Sequence, residues 1–380
     1  MSDIEKDTQR CTKCILPNTY PGIKFNREGI CNYCLEYCLG HADLGKEALA
    51  NLLQSKVRNS KYDCVVPLSG GKDSTFILYY IVKELGLKAI AVNYDSGFQV
   101  KFARDNVKNA CDILNVPLIA VTVPGTSQSK LLKQWILLSE KVGWPCGACG
   151  GNCEAILRTT AINTARAKGI PFIIWGSSSL ESLNNENYSS YINIAKNKEL
   201  TITRMSKSVV LKLKALFKDM KKAKKIPSII YSRIGYHAIL FNFLSIYQRI
   251  KLGFPLRQAI KPRYVPPFTE ENPTFIHFFD YISWDSINNT EILKTQLKWK
   301  HPEGRQSRFD CLVHCFGNSA YLRANGITAD GANNCNFIRE ERIDRESALI
   351  NERVIVESLS SELSELRERV GLKEQTYLYQ

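Results

Sequence analysis

At 380 residues the chain has room for one large domain with additions or for two of ordinary size. Its 51 Lys and Arg stand against 37 Asp and Glu, a net charge of +14, which favours an anionic partner such as a nucleotide, a sugar nucleotide or RNA without choosing among them. The first ten residues hold no apolar signal core, and the longest apolar stretch, residues 238–247, is too short to span a bilayer; a cytoplasmic protein with no transmembrane segment is expected, whose thirteen cysteines serve as thiols or metal ligands rather than disulfides.

The chain opens on two C-x-x-C pairs, Cys11 with Cys14 and Cys31 with Cys34, separated by sixteen residues. Each pair can close a tight knuckle, and two knuckles make a tetrahedral thiolate cage with no open position, the pattern of a structural zinc site. Buried unliganded cysteines and a redox pair are the alternatives. Pro17, Asn18, Pro21, Gly22, Asn26 and Gly29 between the pairs fit a turn-rich ribbon, and Cys38 stands apart as a spare. Residues 41–59 read as a helical linker.

The next stretch, YDCVVPLSGGKDSTFILYY over residues 62–80, joins a buried strand (63–68) to a helix (74–85) through a Ser-Gly-Gly-Lys-Asp-Ser turn. A turn at a helix N-terminus suits anions: the paired glycines admit positive φ and close approach, and the helix dipole adds partial positive charge. Ser69, Gly70, Gly71 and Ser74 would line a phosphate site, Lys72 would bring a full charge to it, and Asp73 would hold Mg²⁺ or fix the loop. A Walker A loop would need glycine where Val66 stands and Ser or Thr where Asp73 follows the lysine, which argues against kinase or GTPase chemistry.

Strands at 89–94, 116–121 and 171–175 then alternate with helices at 100–114 and 155–168, the pattern of a parallel sheet with ligands at the carboxyl ends of its strands. Asp95 after the second strand, and Gly176 and Glu181 after the fourth, are therefore candidate nucleotide contacts; either acid could equally be a helix cap or a solvated side chain. Between the third strand and its following helix lies WPCGACGGNC, residues 144–153. Cys146 and Cys149, with Cys153 or the distant Cys311 as a third thiolate, are a candidate second metal site or a three-thiolate [4Fe–4S] cluster; small buried thiols are the alternative.

From residue 184 the alternation is lost. Residues 207–225 are basic with apolar residues at helical spacing and residues 228–252 are aromatic and amphipathic, which suits a membrane surface, RNA, an insertion or a solvated face. Residues 279–339 carry Tyr281, Trp284, Asp285, Trp299, Lys300, Arg305, Arg308, Asp310 and His314, a mixture suited to an anionic sugar, with Arg308, Asp310 and His314 as the substrate candidates. Residues 338–373 read as one charged, heptad-like helix, solvated or dimerising.

The SGGKDS turn resembles the pyrophosphate loop of the ATP pyrophosphatases. With the four-cysteine knuckle ahead of it, the glycine-rich C-x-x-C, and the late YISWD (281–285) and SRFDCLVH (307–314) segments, the chain resembles, over about residues 10–345, the N-acetyl sugar amidotransferases of O-antigen and flagellar glycan biosynthesis. The resemblance implies an adenine nucleotide alpha hydrolase-like α/β core of the HUP type, with an N-terminal zinc ribbon and a C-terminal helical substrate region. Its segments would be residues 1–40 (zinc knuckle), 41–184 (PP-loop core), 185–278 (basic and aromatic helical insertion), 279–345 (substrate segment) and 346–380 (charged helix). It also implies MgATP, an anionic acetamido sugar or sugar nucleotide, catalytic roles for Lys72 and Asp73, and two partners, a glutaminase subunit and a barrel-shaped ammonia-channelling subunit. Residues 207–252 match no motif of the family, and Gly176, Ser177 and Ser178 stand where polar Thr, Asn or Glu is usual. A tRNA-thiolating enzyme of the same superfamily is the rival reading, although nucleic acid is not the expected partner; a non-catalytic ATP sensor is a second rival.

Overall fold

The computed structural model describes residues 9–20, 22–37, 44–55, 60–122, 129, 132–133, 136–137, 152–176, 273–283, 286–301 and 310–372. Five strands form one all-parallel sheet: β1 (Cys64–Pro67), β2 (Ala89–Asp95), β3 (Leu118–Thr122), β4 (Phe172–Trp175) and β5 (Thr274–His277), in the order β3-β2-β1-β4-β5. The helices are α1 (Asn32–Leu35), α2 (Lys46–Gln54), α3 (Lys72–Tyr79), α4 (Lys101–Leu114), α5 (Asn152–Ala167), α6 (Ser286–Leu297), α7 (His314–Asn325), α8 (Ala329–Arg339) and α9 (Arg345–Arg369), with a π turn (Tyr80–Glu84) continuing α3.

Apolar runs rather than alternation mark strands covered on both faces, and β1 is buried at every position. Parity then assigns the faces. Cys64 and Val66 of β1, Ala89 and Ala91 of β2, and Phe172 and Ile174 of β4 pack with Phe76, Ile77 and Val107 from α3 and α4 and with Leu293 and Leu297 from α6. The intervening Val65, Ile90, Val92 and Ile173 pack on the opposite face with Ala161, Ile162 and Ala165 of α5. The result is helix on both faces of a parallel sheet, the α/β class expected. The chain builds outward from β1 to β3, returns to place β4 on the other side of β1, and so puts its topological switch point between β1 and β4.

Two elements differ from the sequence reading. Residues 274–277, placed there within the helical segment 185–278, form β5 and pair in parallel with β4; a four-residue strand flanked by Pro273 carries too short a pattern to be told from a loop. Residues 338–373 are not one helix. α8 ends at Arg339, Glu341 takes a left-handed φ of 58°, and Asp344 caps a new helix by accepting a hydrogen bond from the Ser347 N–H. The heptad-like stripe Ile355, Leu359, Leu363 and Leu366 of α9 is buried against Leu312, Val313, Phe316 and Leu322, so its apolar face is satisfied within the chain. The N-terminal ribbon packs on the same C-terminal layer: Ile15, Leu16 and the four knuckle cysteines share a core with Ile327, Ala332, Cys335, Ile338 and Ala348. Among the described residues no helix is long and apolar enough to cross a membrane.

Candidate functional site

The SGGKDS turn leaves β1 at the switch point and enters α3, whose N-cap is Gly71 and which has no side-chain cap. Its shape is set by its carbonyls, each held by a side chain. Leu68 O accepts from Asn93 Nδ2 at 2.7 Å, Ser69 O from Gln99 Nε2 at 2.6 Å, Gly70 O from Trp299 Nε1 at 3.1 Å and Asn106 Nδ2 at 3.2 Å, and Gly71 O from Thr75 Oγ1 at 2.7 Å. In a trans peptide the N–H points opposite to the preceding carbonyl. Fixing these oxygens toward the protein therefore turns the N–H groups that follow them to the other side, at the start of a helix dipole, where those of Ser69 and Gly71 donate to the Ser74 and Ser69 hydroxyls at 3.1 and 3.3 Å.

Gly70 is required by space as well as by conformation. Its φ is +81°, and a Cβ there would lie 2.0 Å from Ala103 O. The Ser69 and Ser74 hydroxyls, 3.0 Å apart, brace the turn from within, and Ser74 Oγ also accepts from the Ser69 N–H at 3.1 Å. Lys72 Nζ lies 3.8 Å from Asp73 Oδ1, with Asp73 the more exposed of the two.

The neighbouring strand ends carry the other expected residues. Asp95 accepts from the Gly97 N–H at 2.8 Å through Oδ1 and faces Arg104 Nη1 at 3.8 Å through Oδ2, so both oxygens already have protein partners. Gly176 ends β4 beside Ile77 of α3. Glu181, Cys146, Cys149 and Arg308 lie outside the described residues, as does the whole of 185–272.

A late segment closes over the β2 loop. Cys311 bridges Gln99 in antiparallel fashion, the Val100 N–H donates to Asp310 O at 3.2 Å, and the Leu312 N–H donates to Phe98 O at 3.0 Å. Asp310, 4% exposed, thereby reaches the phosphate loop, its Oδ2 3.5 Å from where a Cβ on Gly71 would stand. His314 is carried away from that contact: its Nε2 pairs with Asp330 at 2.8 Å, and Asp330 also accepts from Asn318, which ties α7 to α8. Trp299, read from the sequence as part of a sugar-binding wall, is 4% exposed and serves instead as a clamp on Gly70. Cys153 on α5 and Cys311 both lie in the electrostatic surroundings of the Tyr94 hydroxyl, whose pKa is raised by burial first and then by Cys153, Asp95 and Cys311; that hydroxyl is buried with no hydrogen-bond partner among the described residues.

A chain scan finds no matching family model. An uncharacterized protein of Methanocaldococcus jannaschii is 27% identical over 171 residues, a match covering 44% of this chain and 58% of that protein's length. Among solved structures, the NMN synthetase of Francisella tularensis is 20% identical with a TM-score of 0.26, over 38% of this chain and 56% of its own. The NH3-dependent NAD synthetase of Campylobacter jejuni, in complex with the nitrate ion, is 19% identical with a TM-score of 0.28, over 50% of this chain and 93% of its own. Overlaps this loose leave the fold to rest on its own strand order and loop geometry.

The second cluster is the N-terminal cage. The sulfurs of Cys11, Cys14, Cys31 and Cys34 all lie within 4.8 Å of one another and are buried. Two of the edges are 4.0 Å (Cys11 to Cys34) and 3.8 Å (Cys14 to Cys31), close to the ~3.8 Å that tetrahedral zinc–sulfur bonds of about 2.3 Å would impose. Backbone N–H groups of Cys14 and Cys31 donate to Cys11 Sγ at 3.4 and 3.2 Å. Cys11 is held far below the ordinary thiol range, by side-chain hydrogen bonding with Cys14 first and then with Cys31 and Cys34, while Cys14 is pushed up through the same bond to Cys11. From α8, Arg339, 4% exposed, sets Nε 3.4 Å from Cys34 Sγ and Nη2 3.8 Å from Cys14 Sγ. Arg345 adds hydrogen bonds to the Cys11 and Cys14 carbonyls at 3.2 and 3.0 Å. The four thiols can hold a tetrahedral metal, and the guanidinium offsets the negative charge such a site would bury. The sequence named the cysteines; nothing local could name Arg339, which lies more than 300 residues further on.

Proposed function

We propose that this chain is an ATP-dependent ligase of the pyrophosphatase type, which adenylylates the oxygen of an acetamido group on a sugar or sugar nucleotide and passes the activated carbon to ammonia, leaving an acetamidine, AMP and pyrophosphate. The observation that carries the reading is the set of four pinned carbonyls around an uncapped helix start, since a loop whose backbone oxygens are turned onto the protein leaves an anion free of carbonyl repulsion at the positive end of a helix. An amide oxygen is a poor leaving group, and adenylylation converts it into a phosphate ester. The loop amides and Lys72 would hold the departing pyrophosphate and neutralise the charge that grows on it in the transition state. Bound Mg²⁺ would supply further charge neutralisation at the phosphates. The sugar is supported by the late DC segment, whose Asp310 stands against the loop while the rest of 310–325 extends from it. The cage is read as a structural zinc site because it is closed and has no position for a substrate. As the chain shows no ammonia-generating constellation of its own in the motifs read above, a glutaminase and a channelling subunit are proposed as partners.

Cys153 and Cys311 near Tyr94 favour one second reading, sulfur transfer to tRNA by the same adenylylation, with the thiols at the carboxyl edge of β2 as carriers. One incubation separates the two. The protein is given MgATP, ammonium and a panel of acetamido sugars and sugar nucleotides, and AMP, pyrophosphate and sugar mass are followed. Sugar-dependent AMP with a mass change of oxygen for NH is the expected result. AMP that instead requires tRNA and a sulfur donor would transfer the chain to the second reading. Lys72→Ala is expected to lower pyrophosphate release by roughly 100-fold or more with fold and metal content intact; unchanged turnover would remove the loop from the mechanism.

A further inference from the structure

We infer that the protein ligands of the nucleotide's divalent cation are Asp310 and Gln99, two acceptors that reach the phosphate loop from beyond it, rather than Asp73 or Asp95. The inference rests on the nucleotide reading of the loop. Gln99 is 5% exposed, and its amide is fixed by the 2.6 Å bond from Nε2 to Ser69 O. Only the nitrogen can serve that carbonyl, so the amide orientation is settled, and its Oε1 is left buried with no hydrogen-bond partner among the described residues. An orphaned acceptor at 95% burial costs free energy unless a donor or cation completes it.

The second acceptor sits beside the first in the fold. Cys311 bridges Gln99 through the backbone, Asp310 directly precedes it, and the Asp310 Oδ2 stands 3.5 Å from where a Cβ on Gly71 would lie. Both groups are thus held against residues 69–71, at the start of α3, where the nucleotide reading puts the phosphates. A carboxylate in that place would repel a bare polyphosphate at short range in a buried setting. A hard divalent cation reverses the sign, since carboxylate and amide oxygens are its preferred protein ligands and phosphate oxygens complete its shell. The other acids near the loop are more exposed, the Asp95 side chain at 20% and that of Asp73 at 41% against 4% for Asp310, and a carboxylate held away from water binds a hard cation more strongly. Gln99 and Asp310 come from separate ends of the chain, so cation binding would also fasten the C-terminal segment to the nucleotide site.

Calorimetric titration of the full chain with α,β-methylene-ATP, in excess Mg²⁺ and in EDTA, tests this, with Mn²⁺ paramagnetic resonance in the presence of the same nucleotide as a direct readout of the cation. The wild-type chain is expected to lose roughly tenfold or more in nucleotide affinity without the cation, whereas Asp310→Asn is expected to bind within about twofold with and without it and to lose the bound Mn²⁺ signal. Asp105→Asn, on the exposed side of α4, controls for loss of charge and should keep the wild-type ratio. Asp310→Ser repeats the test if the asparagine variant does not fold. An Asp310 variant with the wild-type magnesium dependence and Mn²⁺ signal would overturn the assignment while leaving the loop's role standing. A wild-type chain that binds no adenine nucleotide under either condition would overturn the loop reading and the assignment together.

Discussion

The thiol cage and the phosphate loop are built by opposite uses of the same resource, buried polar atoms held by distant parts of the chain. In the cage four sulfurs face one another, and the protein supplies its own cation, Arg339, from α8. In the loop four carbonyls are turned onto Asn93, Gln99, Trp299, Asn106 and Thr75 of the surrounding protein, and the helix start they frame has no side-chain cap. The difference teaches how a structural centre is told from a reactive one. A set of four thiols that closes on itself leaves no coordination position, while a turn at the switch point of a parallel sheet lies where ligands of such sheets generally bind.

The largest effect should come from opening the cage. Cys11→Ser, or exhaustive chelation, is expected to lower the unfolding free energy by more than about 3 kcal/mol and to expose the shared core of the ribbon and α8. Denaturant titration with and without chelator, with hydrogen exchange over α8, checks it; unchanged metal content in the serine variant would remove the cage. Next is Arg339→Met, which keeps the side-chain volume but strips the cage of its counter-charge. Breaking one partner of a buried ionic set typically costs about 3–5 kcal/mol, and the urea midpoint should fall by a corresponding margin with faster loss of metal to a chelator. An unshifted midpoint would mean the cage needs no cation from α8.

The loop should respond differently, in activity more than in stability. Gly70→Ala places a Cβ against Ala103 O in a backbone conformation that alanine resists, so roughly 2 kcal/mol of stability should be lost along with pyrophosphate release. Full turnover would show that the loop shape is not what the substrate needs. The smallest effect is electrostatic. Glu352 of α9 is buried, accepts from the Thr328 N–H at 2.8 Å and from the Thr328 hydroxyl, and so supports the start of α8. Burial raises its pKa against those hydrogen bonds. A raised carboxyl contributes stability that is complete below its unfolded value and is lost as pH climbs through the folded one. The wild-type midpoint should therefore decline over that rise, and Glu352→Gln should flatten the decline; equal pH profiles for the two chains would show that Glu352 is ionised in both states.

Much of this was legible from local pattern, because a strand buried on both faces, a helix of three turns and a glycine turn between them each declare themselves within about fifteen residues. The strands β1 to β4, the helix after β1 and the four knuckle cysteines were readable in that way, although that helix, expected over 74–85, begins two residues earlier at Lys72 and turns into a π turn from Tyr80. The stripe on α9 was readable too, but not its partner, since periodicity states that a face is apolar and not what covers it; α7 and the Leu312 to Phe316 turn do. β5 was missed because a short strand joins the sheet only through a neighbour a hundred residues earlier.

By itself, then, the sequence determined the parallel α/β core, the place of the SGGKDS turn between β1 and α3 and the four cysteines that gather in the cage, all properties of contiguous residues. Tertiary structure alone decided which side chains hold them. Gln99, Asn106 and Trp299 are ordinary residues in ordinary contexts until folding brings them onto one loop, and Arg339 is an ordinary helical arginine until α8 lies under the cage. A hydrogen bond made across thirty residues or three hundred leaves no periodic trace in the chain, because its partners are chosen by the packing of the elements that carry them and not by their spacing.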